Sequence, residues 1–202
     1  MRETDSRMSL DAALNTLARR RDQQVVVTTM TALAPWRARA ATDRDIGCVG
    51  FMGGASTLGL GIALARPDVP VWIIDGDGSL LMQLGSLVTI ANAAPRRFLH
   101  VVLHNGVYDT SGAQPLLAEG NVSFVGLAEA AGYARAVRFD NPESFDASLD
   151  ELLEVDGPVL VELVTQATGI GYVTPPITAT KPKHVLAATW PVLRDALRVD
   201  AT

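Results

Sequence analysis

The stretch IIDGDGSLLMQLGS (residues 73–86) decides the fold. The apolar run VPVWIID (69–75) stops at Asp75-Gly76-Asp77-Gly78-Ser79, and a helix-period pattern follows over residues 79–94. Packing alone does not call for two carboxylates and two glycines at the end of a buried strand. Gly76 and Gly78 let backbone N–H groups approach a ligand with no Cβ in the way. A helix starting at Ser79 favours an anion such as phosphate. Asp77 would repel that anion, and a divalent cation between the two resolves the conflict. Mg²⁺ takes about six oxygens and commonly joins one or two carboxylates to ligand phosphates.

Outward from this point, strands alternate with helices. Strands are expected over 24–29, 46–51, 69–75, 98–104, 134–139 and 157–165. Helices are expected from Ser9, as N-cap, to about Arg21, over 32–42 with Pro35 in the first turn, and over 53–65, 79–94 and 122–132. Asn141-Pro142 opens another helix, which runs to Glu154, and a last one falls within 183–198 after a loop holding Pro175 and Pro176. Apolar strands alternating with helices imply an α/β fold: a doubly wound, mainly parallel six-stranded sheet with helices on both faces. Residues 1–8 read as a flexible N-terminus and residues 9–202 as one domain.

In such folds ligands bind beyond the carboxyl ends of the strands. A second loop, HNGVYD (104–109), lies at such an end. Asn105 comes 28 residues after Asp77, the length of one helix and one returning strand. Its amide oxygen and the Val107 carbonyl could complete a metal site. Each loop alone also reads as an ordinary turn, since Asp-Gly and Asn-Gly pairs are common there. Gly59-x-Gly61 lies inside a helical pattern, not at a strand-to-helix turn, so it reads as close packing and not as a dinucleotide fingerprint.

Composition narrows the function. Net charge is −5 with 17 basic residues spread thinly, so no nucleic acid is expected. Cys48 is the only cysteine, which excludes an internal disulfide and fits a cytoplasmic protein. The N-terminal residues lack the apolar core of a signal peptide, and no apolar run reaches the ~18 residues of a membrane span. Apolar residues make up 48% of the chain, which predicts that a partner covers part of the surface.

The stretch from Gly76 to Asn105 resembles the thiamine-diphosphate motif, a GDG followed one helix and one strand later by an Asn pair. Here the pair is His104-Asn105, so its first position departs. GFMGGASTLGLGIALA (50–65), DGDGSLLMQLGSL (75–87) and HNGVYDTSGAQP (104–115) resemble the thiamine-diphosphate-dependent decarboxylases of the sulfopyruvate and phosphonopyruvate type. The likeness covers their diphosphate-binding half, over residues 10–198. It implies thiamine diphosphate and Mg²⁺ as cofactors. Asp77, Asn105 and the Val107 carbonyl would ligate the metal. Gly76, Gly78 and Ser79 would border the diphosphate, and the Gly50 carbonyl would meet the aminopyrimidine. Met52 would sit beneath the cofactor and bend its two rings together. Tyr108, Thr110, Ser111 and Gln114 would line the cofactor and the substrate pocket. His104 reads as a supporting residue, His100 as structural, and His184 has no assigned role.

In this family a glutamate that activates the aminopyrimidine belongs to a separate pyrimidine-binding domain. Glu119, Glu129, Glu143, Glu151, Glu154 and Glu162 all follow the metal loop and match no such context. The resemblance therefore implies a split enzyme, with an α-type pyrimidine-binding subunit as partner and a small 2-keto acid as substrate. Arg37 and Arg39 stand where the family carries a Ser-Arg-Glu run. A carboligase subunit and a non-catalytic scaffold remain alternatives.

Overall fold

A computed structural model describes residues 7–117, 120–169 and 186–198. Its main sheet contains β1 (Val25–Thr29), β2 (Asp45–Cys48), β3 (Val71–Gly76), β4 (Phe98–His104), β7 (Arg135–Phe139) and β8 (Pro158–Val164). These pair in the order β2-β1-β3-β4-β8-β7, every pair parallel. The expected six-stranded parallel sheet is present. A short antiparallel hairpin, β5 (Val107–Tyr108) and β6 (Gln114–Pro115), was not expected.

The alternation of side chains along each strand divides the core in two. Val25, Val27, Val71, Ile73, Phe98, Val102 and Leu160 face one way, beneath α3 (Ala55–Ala65), α5 (Ser86–Ala93), α6 (Phe124–Ala131) and α8 (Leu186–Ala196). Val26, Trp72, Ile74, Leu99, Val101, Val159 and Leu163 face the other way, against α1 (Leu10–Ala18), α2 (Leu33–Ala40) and α7 (Pro142–Leu153). Ser9 caps α1 by accepting from the Ala12 N–H, and Asn141 caps α7 by accepting from the Ser144 N–H. Gly59 brings α3 onto β3: a Cβ there would lie 2.0 Å from Ile73 Cδ1, so Gly59 serves packing, whereas Gly61 is exposed and a Cβ there would meet open space.

Several expectations need correction. The helix expected over 79–94 is two helices, α4 (Asp77–Met82) and α5, separated at Gln83–Gly85. Buried Leu80 and Leu87 lie seven residues apart, a helical repeat, so the apolar pattern runs across the break and conceals it. Helix α4 begins at Asp77, which places Gly78 and Ser79 within its first turn. Helix α1 stops at Ala18. Strand β7 is an edge strand with Arg135 and Arg138 exposed, not an apolar one. The opposite edge, β2, is met by α8, where the Gly47 N–H donates to Thr189 Oγ1 (3.4 Å). Met8, within the segment expected to be flexible, is 2% exposed and pairs with Thr165. Residues 1–6, Glu119, the Pro175-Pro176 loop and His184 lie outside the described residues.

Candidate functional site

The chain leaves β1 toward β2 on one side and returns to β3 on the other. At such a switch point the connections diverge and open a crevice at the carboxyl ends. A cleft lies there, bordered by Met52, Gly76, Asp77, Gly78, Ser79, Asn105, Val107, Tyr108 and Thr110. Nine of the twelve expected site residues thus meet, from segments far apart in sequence. The other three fall just outside the lining, with Gln114 exposed on β6. Gly50 is exposed at the exit of β2 with φ +74, two residues before Met52. Ser111 is exposed on the turn that carries Thr110.

Asp77 is the centre of this cleft. Its carboxylate is 2% exposed and accepts from the Gly78 N–H through Oδ1 (2.7 Å) and from the Gly106 N–H through Oδ2 (2.7 Å). The second bond ties the exit of β4 to the start of α4. Burial pushes the Asp77 carboxyl above the usual carboxylate range, and these two N–H groups pull against that shift. Ser79 is turned inward as well: its Oγ accepts from the Gly53 N–H (2.9 Å) and fastens the β2–α3 turn beside the cleft. Gly78 has a steric reason to be glycine. A Cβ there would lie 2.5 Å from Tyr108 Cε1, so the ring rests directly on the α4 backbone.

The hairpin sets the direction of the carbonyls from Gly106 to Tyr108. The Leu116 N–H donates to Gly106 O (3.0 Å) and the Ala113 N–H donates to Tyr108 O (3.1 Å). Val107 lies between them, and its strand partner Pro115 has no N–H to offer. Successive carbonyls alternate in an extended chain, so the Val107 carbonyl points away from β6. Asn105 Oδ1 accepts from the Val107 N–H (3.0 Å), which closes a tight turn.

Behind the cleft, buried polar groups cross the sheet. Asp75 Oδ1 accepts from the Gly76 N–H (2.9 Å), and its Oδ2 lies 3.6 Å from His100 Nε2. His100 Nδ1 meets the Tyr133 hydroxyl at 3.2 Å. Burial, and then the Asp75 charge, raise the Tyr133 phenol above its ordinary range. The His104 Nδ1–H donates to Glu162 Oε1 (2.7 Å), which also accepts from Arg138 Nη1 (3.0 Å). His100 and His104 are therefore both held from within the sheet. Of the two opening carboxylates, Asp75 is turned toward this network and Asp77 toward the loop.

Residues 24–163 match the family described as thiamine pyrophosphate enzyme, C-terminal TPP binding domain. The chain belongs to that family. Among its relatives is phosphonopyruvate decarboxylase of Streptomyces viridochromogenes, 41% identical over 71% of this chain and 36% of that protein. Another is sulfopyruvate decarboxylase subunit beta of Methanothermobacter thermautotrophicus, 38% identical over 60% of this chain and 62% of that one. This TPP-binding chain thus spans about a third of the first relative's length and under two thirds of the second's. The thiamine diphosphate-dependent 4-hydroxybenzoylformate decarboxylase of Rhodococcus jostii shares the fold, with TM-score 0.68 and 18% identity over 83% of this chain and 34% of that one.

The donor set of the TPP-binding domain suits a hard cation. Among the described residues no three His, Cys, Asp or Glu side chains cluster as a metal site. A carboxylate, an amide oxygen and a backbone carbonyl do gather here, which is the oxygen chemistry Mg²⁺ prefers. The Asp77 carboxylate, with about four lone-pair sites, meets the backbone N–H groups of Gly78, Gly106 and Asn105, and Asn105 Oδ1 accepts one N–H, so each retains a lone pair. The residues present fit the group.

Sequence reasoning missed the β1 side of the cleft, lined by Thr29, Met30 and Thr31. Three threonines following the apolar run VVV were the one available signal. Met30 has φ +47, a left-handed backbone that a non-glycine residue seldom adopts and that gathers at functional sites. Asp109 and Thr168 were also missed, and both line the cleft.

Proposed function

We propose that this chain is the diphosphate- and Mg²⁺-binding part of a thiamine-diphosphate-dependent decarboxylase acting on a small 2-keto acid of the sulfopyruvate or phosphonopyruvate kind. The observation that carries this reading is the convergence of Asp77, Asn105 and Val107 at the ends of adjacent strands β3 and β4. The decarboxylase names of the relatives support it. When bound, thiamine diphosphate supplies the electron sink for the bond pair that departing CO₂ leaves behind. Asp77, Asn105 and the Val107 carbonyl hold Mg²⁺, and Gly76, Gly78 and Ser79 border the diphosphate. The Gly50 carbonyl meets the aminopyrimidine, Met52 supports the cofactor from below, and Tyr108, Thr110 and Ser111 flank it. Residues 9–202 form one domain, and the protein works in the cytoplasm. Among the described residues no helix is long and apolar enough to cross a membrane.

A separate pyrimidine-binding subunit completes the site in this reading. In this reading the activating carboxylate comes from that partner, and among the described residues no glutamate side chain lines the cleft. The beta-subunit name of the Methanothermobacter relative supports a two-chain arrangement. The test is calorimetric titration of the chain, copurified with its partner, with thiamine diphosphate and Mg²⁺. Asp77→Ala should weaken Mg²⁺-dependent uptake by at least about a hundredfold, and Asn105→Ala, which removes a neutral ligand, by less. Unchanged affinity in Asp77→Ala would place the metal elsewhere. Release of CO₂ from 2-keto acids, scored beside condensation products, separates decarboxylase from carboligase. Full activity from the purified chain alone would sink the two-chain reading.

A further inference from the structure

The metal loop is suspended between two buried carboxylates. At its front, Asp77 Oδ2 holds the Gly106 N–H. At its back, Asp109 is 3% exposed and makes three hydrogen bonds to the chain leaving β8. Its Oδ2 accepts from the Thr168 N–H (2.9 Å) and the Thr168 hydroxyl (2.6 Å), and its Oδ1 accepts from the Gly169 N–H (3.2 Å). Hydrogen bonds to an ionised acceptor are the stronger kind. The partners are 59 and 60 residues away in sequence.

An anchor at this place has a physical purpose. The hairpin of β5 and β6 has two residues per strand, and a lone hairpin is marginal in water. It needs a fixed reference to hold the Val107 carbonyl and Asn105 amide in one direction. The exit of β8 is such a reference, because the Thr165 N–H donates to His104 O (2.9 Å) and so continues the β4–β8 ladder past its end.

We propose that Asp109 is a positioning residue: it latches the turn behind the metal loop to Thr168 and Gly169, and so sets the aim of the Val107 and Asn105 oxygens into the cleft. This rests on the metal-binding reading above. Asp109 itself touches neither metal nor cofactor in this proposal.

Asp109→Asn is the direct test. An amide has one acceptor oxygen, so it can keep the Thr168 bonds only by turning its own N–H toward the Gly169 N–H. Hydrogen–deuterium exchange on the chain without ligand should show residues 106–110 and 168–169 exchanging faster together, by roughly tenfold, with β3 and β4 unchanged. With thiamine diphosphate present, the Mg²⁺ concentration for half-maximal uptake should rise about tenfold, while uptake at saturating Mg²⁺ returns to the wild-type level. Thr168→Val, which removes only the hydroxyl bond, should shift both readouts the same way by less, and it serves if Asp109→Asn fails to fold. Faster exchange confined to 168–169 would overturn the latch. Coupled exchange with unchanged Mg²⁺ dependence would overturn its positioning role. Wild-type chain copurified with its partner that takes up no thiamine diphosphate at any Mg²⁺ concentration would defeat the metal-binding reading, and the positioning role that rests on it, while the exchange result still decides whether the latch exists.

Discussion

Replacing Gly78 with alanine should strain the cleft in a measurable way. The new Cβ would lie 2.5 Å from Tyr108 Cε1, 2.8 Å from Cδ1 and 3.1 Å from Leu116 Cδ2. Ordinary contact begins near 3.4 Å, so the ring must withdraw by about 0.9 Å. It has little freedom to do so. Its own carbonyl is held by the Ala113 N–H, and the next residue is the buried Asp109. Overpacking of this kind costs about 1–3 kcal/mol. Alanine in the first turn of α4 recovers at most about 1 kcal/mol of that through helix propensity. The net loss of up to about 2 kcal/mol corresponds to a fall in Tm of up to roughly 8 °C for a chain of this size. Thermal and denaturant unfolding followed by circular dichroism would measure it. The double variant Gly78→Ala/Tyr108→Ala removes the colliding ring, so the two changes should be non-additive by about 1 kcal/mol or more. A strictly additive cycle would refute the packing argument.

Three further outcomes are expected. Met52→Ala should lower turnover of the assembled enzyme by up to about a hundredfold while barely changing cofactor affinity, and Met52→Leu should retain most activity; equal losses in both would make Met52 ordinary filler. Ala94→Gly should stabilise the protein by about 1 kcal/mol, seen as a higher Tm, because Ala94 ends α5 in the left-handed region (φ 44, ψ 53), where a Cβ is unfavourable. Burial, and then the Asp75 charge, push the Cys48 thiol up to about 11. The native state therefore favours the neutral thiol, and this contribution to stability is complete below the unfolded value of 9.0 and lost as pH rises from there through about 11. Iodoacetamide at pH 8 should accordingly modify native Cys48 roughly a hundredfold more slowly than the unfolded chain.

The residues themselves determined the parts of this protein that depend on local order. Apolar runs give strands, Ser9 and Asn141 start helices through their own side chains, and the polar breaks at Asp77 and Asn105 mark strand ends. Those features follow from a few consecutive residues, so they were legible before any fold was known. The family motif then placed both loops at one site. Tertiary structure alone decided which groups face each other across long separations. The break at Gln83–Gly85 is hidden because Leu80 and Leu87 keep a helical repeat on either side of it. That Asp75 turns toward His100 while Asp77 holds Gly106 depends on the registry of β3 with β4. The meeting of Asp109 with Thr168 depends on β8 lying next to β4, a pairing of strands not consecutive in the chain. Hydrogen bonds reach only about 3 Å, so contacts of this kind exist only once strand order is set, and strand order is a property of the whole sheet.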